Sequence, residues 1–410
     1  MRTLIQHGRI YTVAGPSAPR RGLDLGRYPI YPDGAVVCED GWIRQVGPTA
    51  SLGARASSFD AVIDAGGHAV VPGLVDCHTH LPFAGWRTDE YRARLSGISY
   101  QQLAGQDGGI RYSARQFQQH SDDEILRFTE PLVAEALKWG TTTLEMKTGY
   151  GLSVAQELRA LKLIERLQHD SPVRIAATGL FLHAVPPGLD AAAWVRQVLA
   201  ELLPEASASP FITAIDAFIE ATAFRPEQAA PVLKAARQAG LLIRLHTDQF
   251  TAMGGIGLGI EYGARSLDHL EAAAAKDLQA LAASPAVAVL LPTAAFYTNS
   301  NRQPAARELL ARGAALALAT DFNPGTSPVG NLPTVMALAV NLLGLSPEEA
   351  LAAVTANAAY VLGLERLVGS IEPGKVADLV ILDDADIAGI PYRLGHNPVT
   401  QVLRWGRPVG

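Results

Sequence analysis

"HAVVPGLVDCHTH", residues 68–80, is where the pattern of the chain changes. Apolar residues run up to Asp76, and then two histidines stand one position apart. Side chains alternate faces along an extended chain, so His78 and His80 point the same way and can grip one ion together. Cys77 faces the opposite side, where a small buried hydrophobe is the expected role. The same pair could also be two polar residues closing a strand. What decides between these readings is whether the rest of the chain brings further ligands to equivalent places.

Upstream of this stretch, "TLIQHGRIYTV", "GAVVCEDGWIRQVG" and "AVIDAGG" interleave polar and apolar residues with Gly and Asp at the breaks, the pattern of a small β-sandwich. Downstream, short apolar runs alternate with stretches of helical periodicity. The runs are "VVPGLVDCHTH", "TTTLEMKTG", "RIAATGLFLHA", "AIDAFIE", "LLIRLHT", "SLDHLE", "AVAVLLP" and "LALATDFNP". Between them, "SVAQELRALKLIERLQ", "RPEQAAPVLKAARQAG" and "PAARELLARG" space apolar residues by three and four. Eight strand–helix units predict a (β/α)₈ TIM barrel, an α/β fold. "VGSIEPGKVADLVILDD" and "VTQVLRWGRPVG" read as strands again. The expected division is a composite sandwich from residues 1–67 and 368–410, beside a barrel over 68–367.

At 410 residues, 48% hydrophobic and 18% charged, with a formal charge of -6, the chain has an ordinary globular composition. It has no basic stripe for nucleic acid and no apolar run long enough for a membrane helix. The opening "MRTLIQHGRIYTVAG" alternates like a strand and lacks the marks of a signal peptide. Cys38 and Cys77 are the two cysteines, too few for a disulfide framework, and a reducing cytoplasm is the expected compartment.

In a barrel of this kind the chemistry sits at the C-terminal ends of the strands. Of the ten histidines, His78, His80, His183, His246 and His269 fall at ends of proposed barrel strands. The eighth run closes on Asp321, a carboxylate in otherwise apolar sequence that calls for a metal or a charged partner. His78, His80, His246 and Asp321 together offer three nitrogens and one oxygen, a donor set suited to zinc or a similar ion. Arg87, in "FAGWRTDEY", lies just past the first metal strand, and its guanidinium suits a carboxylate.

The series "VDCHTH", "IRLHTD", "DHL" and "ATDFNPG" resembles the metal-dependent amidohydrolase superfamily, whose members pair a β-sandwich with a distorted barrel. Within it, "GTTTLEMKTGYGL", "LHAVPP", "LLPTAAFY", "ATDFNPGTSP" and "VTANAAYVLGL" resemble the imidazolonepropionase family, from about Val70 to Leu364. The resemblance implies hydrolysis of a cyclic amide C–N bond, from 4-imidazolone-5-propanoate to N-formimidoyl-L-glutamate in histidine degradation, by metal-activated water. It implies one metal ion, zinc or alternatively iron, on His78, His80, His246 and Asp321. His269 and Asp321 would handle protons, and Arg87 would meet the propanoate. Tyr150, His183, Gln249, Asn323, Gly325 and Thr326 would line the ring and the opened product, and a homodimer is compatible with the family. Gln249 stands where some relatives carry glutamate; glutamine cannot be a general base, so ring binding is its expected role. Lys147 is expected to pair with Glu145 or another carboxylate. "GGIGLG" does not match the spacing of a dinucleotide loop. The rival readings are a heterocycle aminohydrolase that releases ammonia and a non-catalytic scaffold.

Overall fold

The computed structural model describes residues 1–52, 58–105, 108–300 and 302–409, so Gly410, closing the last expected strand, lies outside the described residues. Eight parallel strands build the barrel: β1 Leu74–Asp76, β2 Thr141–Lys147, β3 Arg174–Leu182, β4 Ile212–Ile219, β5 Leu242–Thr247, β6 Ser266–His269, β7 Val287–Leu290 and β8 Ala315–Leu318. Each pairs with the next in chain order. Strands such as TTTLEMK, VAVL and ALAL are buried at every position. Continuous burial is what a parallel sheet covered on both faces imposes. The helices between show the complementary pattern. Val154–Asp170, capped by the Ser153 side chain, buries Ala160, Leu163, Ile164 and Leu167, and Pro226–Gln238 buries Ala229, Val232, Leu233 and Ala236.

β8 and β1 meet beyond their regular ends. Thr79 and Phe322 form a parallel bridge, Asp321 N donates to the His78 carbonyl at 3.0 Å, and His80 N donates to the Phe322 carbonyl at 2.9 Å. The Asp76 carboxylate ties the seam further, accepting from Thr320 N at 3.1 Å and Thr320 Oγ1 at 2.6 Å. The barrel therefore closes at the histidine pair itself.

The terminal strands form one mixed sheet: Arg2–Tyr11, Ile30–Glu39, Trp42–Pro48, Ala61–Asp64, Ala69–Pro72, Leu379–Leu382, Val399–Arg404 and Arg407–Val409. Arg2–Tyr11 is its centre, antiparallel to Ile30–Glu39 and parallel to Ala61–Asp64 and Ala69–Pro72. Ile5, Val36, Val70, Leu379 and Leu403 pack in one cluster, while Leu4, Ala35 and Val37 pack in another with Leu52 and Phe59. The run expected as the first barrel strand is thus shared between the sheets. Val70–Pro72 pair with Leu379–Ile381, and the barrel strand begins at Leu74. Gly73 sits at the crossing, where a Cβ would come within 2.2 Å of the Thr142 hydroxyl. Among the described residues, no helix is long and apolar enough to cross a membrane.

Candidate active site

The seam brings the expected ligands together. His80 Nε2 lies 3.1 Å from Asp321 Oδ1 and 3.2 Å from His246 Nε2, and His78 Nε2 lies 3.5 Å from Asp321 Oδ1. Both members of the pair follow β1 rather than end it, and Asp321 stands three residues past β8; the bridge at Thr79 keeps the backbone extended there, so His78 and His80 still share a face. His78 donates from Nδ1 to Asp268 Oδ2 at 2.6 Å, and His246 from Nδ1 to Asp216 at 3.1 Å. Each of these imidazoles therefore turns an unprotonated Nε2 to the common centre. Burial holds His78 and His80 well below the usual histidine range, so both are neutral. His78 Nε2 is buried with no hydrogen-bond partner. Acceptors that converge without a donor between them are stable around a cation, and the N₃O set fits zinc or iron.

Beneath the ligands lies a fully buried charge network. Lys147 Nζ contacts Asp216 Oδ2 at 2.7 Å and Glu145 Oε2 at 3.0 Å. Arg244 pairs with Glu145 and reaches Asp268 Oδ2 at 2.7 Å. The carboxylates that orient His78 and His246 are thus joined through Arg244, Glu145 and Lys147. Lys147 takes the ion-pairing role expected of it, with Asp216 as well as Glu145. Asp216, Arg244 and Asp268 were absent from the sequence-based reading, which named Glu145 only as a partner for Lys147. The available signal was a charge within an apolar strand, as in "AIDAFIE" and "SLDHLE", which demands a partner even when its identity is unknown.

Asp268 and His269 are consecutive, yet both serve the interior. Asp268 meets His78 and Arg244, while His269 lines the cavity. An extended strand forbids this, and a φ of 85° at His269 breaks the alternation; Asp321 is also left-handed, at 53°. Burial alone would lower the His269 pKa, but Glu271, with Nδ1–Oε1 at 3.6 Å, and Asp321 raise it above the usual value. Burial raises the Asp321 carboxyl.

A cavity opens over the cluster. It is lined by His80, His246, His269 and Asp321 together with Arg87, Tyr150, His183, Gln249, Asn323 and Thr326. Tyr100, Ile110 and Phe218 also line it, and sequence reasoning did not single them out. Gly325 lies under Arg87 rather than in the wall: a Cβ on it would fall 1.8 Å from Arg87 Nη2. Asn323 organises that turn, its Oδ1 accepting from Gly325 N at 2.9 Å and Thr326 N at 2.7 Å. His183 donates from Nδ1 to the Gly149 carbonyl at 3.0 Å, and burial keeps it neutral, so its Nε2 is an acceptor. Arg87 is 4% exposed, and its Nε and Nη1 have no hydrogen-bond partner, leaving a buried cation with donors to spare. The glycines of "GGIGLG" begin the helix Gly255–Tyr262, where Cβ atoms on Gly255 and Gly259 would collide with Thr247 and Leu267.

A family model described as the amidohydrolase family matches residues 69–409. The chain is 39% identical to a protein named imidazolonepropionase from Solibacter usitatus, over 99% of this chain and 98% of that relative. It is 42% identical to an imidazolonepropionase from Rubrobacter xylanophilus, over 95% and 94%. Among solved structures, the 5-methylcytosine deaminase from Klebsiella pneumoniae shares the fold, with a TM-score of 0.74 and 15% identity over 99% of this chain and 97% of that one.

Proposed function

The chain belongs to the amidohydrolase family and, within it, to the imidazolonepropionases, and from that premise we propose that it hydrolyses 4-imidazolone-5-propanoate to N-formimidoyl-L-glutamate in histidine degradation. The observation that carries the reading is the pairing, across one cavity, of a cation-binding cluster with the under-partnered guanidinium of Arg87. His78, His80, His246 and Asp321 would hold one ion, zinc or alternatively iron. When bound, such an ion polarises a carbonyl and lowers the pKa of water toward neutrality.

The chain's own groups do the rest. Arg87 takes the propanoate through parallel N–H donors and so fixes which way the ring enters. His183 Nε2 accepts a ring N–H, while Tyr150, Gln249, Asn323 and Thr326 border the ring. Water adds to the ring carbonyl carbon; Asp321 takes its proton and returns it to the ring nitrogen as the C–N bond breaks. His269, whose pKa Glu271 raises against the effect of burial, donates in its protonated form to the oxyanion that develops in between. Residues 1–67 and 368–410 act as one supporting unit and 68–367 as the catalytic one, a division supported by the terminal sheet's use of both chain ends. The cytoplasm is the proposed compartment, supported by two cysteines that are both free and buried.

The test is to incubate the purified protein with 4-imidazolone-5-propanoate, follow loss of the ring's ultraviolet absorbance, identify the product by mass, and measure bound metal in the same sample. Formation of N-formimidoyl-L-glutamate without ammonia supports the assignment. Ammonia release from a heterocycle, or active protein without metal, refutes it.

A further inference from the structure

The segment after β2, "TGYGL", residues 148–152, has no regular structure of its own, yet it carries Tyr150 into the cavity. One carboxylate holds it. Glu157, on the helix Val154–Asp170 and 1% exposed, accepts from Gly149 N at 2.9 Å through Oε2, and from Gly151 N at 2.8 Å and Leu152 N at 2.9 Å through Oε1. The Thr148 side chain is hydrogen-bonded to the same carboxylate. Three backbone donors from four consecutive residues thus converge on one buried group, and the residue they skip is Tyr150.

The clamp reaches a second cavity residue. The Gly149 carbonyl accepts from His183 Nδ1 at 3.0 Å, which selects the tautomer with a free Nε2 acceptor. Gly149 tolerates no side chain at this contact: its φ is 110°, and a Cβ would sit 2.9 Å from His183 Nδ1. Moving Gly149 therefore moves both the carbonyl that orients His183 and the residue next to it, Tyr150.

We infer that Glu157 is a positioning residue for substrate recognition: by clamping Gly149, Gly151 and Leu152 it fixes the placement of Tyr150 and the tautomer of His183. This rests on the activity proposed above. The plain alternative is that Glu157 only steadies the start of its own helix, in which case its loss lowers stability and leaves the folded enzyme's kinetics alone.

Glu157→Gln separates the two. The amide keeps the size of the side chain but sets an N–H₂ donor against at least one of the three backbone donors, so part of the clamp opens. Hydrogen–deuterium exchange should accelerate at residues 149–152 while the β2 amides stay protected. KM for 4-imidazolone-5-propanoate should rise about five- to thirty-fold, with a smaller fall in kcat, because the affected contacts bind the substrate before and during reaction. Metal content should not change. Faster exchange with unchanged KM reduces Glu157 to a helix-steadying role, and unchanged exchange removes the clamp; either result overturns the inference. Should Glu157→Gln not accumulate as folded protein, Thr148→Val withdraws one hydrogen bond from the carboxylate, along with the acceptor of Leu180 N, and is expected to speed exchange at residues 149–152 and raise KM in the same direction by less; unchanged exchange or an unchanged KM in that variant overturns the inference as well. If the wild-type protein does not turn over this substrate, the activity assignment falls and this role with it, whereas wild-type turnover with equal KM in both proteins removes the role of Glu157 alone.

Discussion

Replacing Arg87 by Met tests the recognition half of the site while preserving length and packing. The guanidinium is 4% exposed, lies 3.5 Å from Glu90 Oε2, and leaves Nε and Nη1 without hydrogen-bond partners. A carboxylate in the cavity would gain up to two charge-assisted hydrogen bonds there, in a space too narrow for bulk water to screen them. Losing them costs about 2 to 4 kcal/mol in transition-state binding, or roughly 30- to 900-fold in kcat/KM. Met also leaves Glu90 without its cation, so a loss of fold stability is expected as well, and the kinetics are read on protein shown by thermal unfolding to be native at the assay temperature. The assay is steady-state kinetics by ring absorbance, for the wild type and Arg87→Met, with 4-imidazolone-5-propanoate and with the imidazolone ring lacking its propanoate. The wild type should prefer the full substrate by the factor above, and the variant should treat both alike, since the two changes remove the same interaction. An equal loss on both substrates would mean that Arg87 supports the cavity without reading the carboxylate, and the assigned orientation of the ring would fall.

The network behind the proposed ligands makes its own prediction: Asp268→Asn keeps an acceptor for His78 but removes a charge that Arg244 uses and the proposed ion would feel, and metal affinity measured against a chelator should fall about 10- to 100-fold. An unchanged affinity would show that the ring is oriented by packing alone. At Gln249, a hydrogen-bonding role predicts that Gln249→Glu stays within about tenfold of the wild-type rate, while Gln249→Ala costs about 1 to 3 kcal/mol in kcat/KM. A hundredfold gain, roughly, from the carboxylate would instead mark a lost general base. Burial pushes the Cys38 thiol up to about 12 and the Cys77 thiol well above its ordinary value, so at mildly alkaline pH both stay protonated and unreactive. Iodoacetamide should label neither in the native protein and both after denaturation, as read by intact mass; rapid native labelling of either would contradict the packing around it.

The four proposed ligands, which the fold does bring together, were legible because they obey simple positional rules. Two histidines at a period of two share a face, and polar residues at the ends of apolar runs stand out. The supporting charges were harder to see because their pairings span the chain: His78 meets Asp268 across 190 positions, and Arg244 meets Glu145 across 99. Neither register nor partner can be read from a local pattern. His269 was found by its place at a strand end, but its inward turn depends on a left-handed backbone that alternation cannot predict. The misassigned start of the first barrel strand has a similar cause. "VVPGLVD" is apolar throughout, and the break at Gly73 is dictated by a crossing with Thr142, far along the chain.

The closing seam has a consequence for biosynthesis. His78 and His80 emerge from the ribosome long before Asp321, yet the backbone that aligns them is held by hydrogen bonds from the stretch that contains Asp321. On the proposed ligand set, a nascent chain could offer an ion the three imidazoles of His78, His80 and His246, but not the Asp321 carboxylate until the last barrel strand has docked. Tight loading would therefore wait on that docking, and a product stalled before Asp321 would lack the means to hoard the metal.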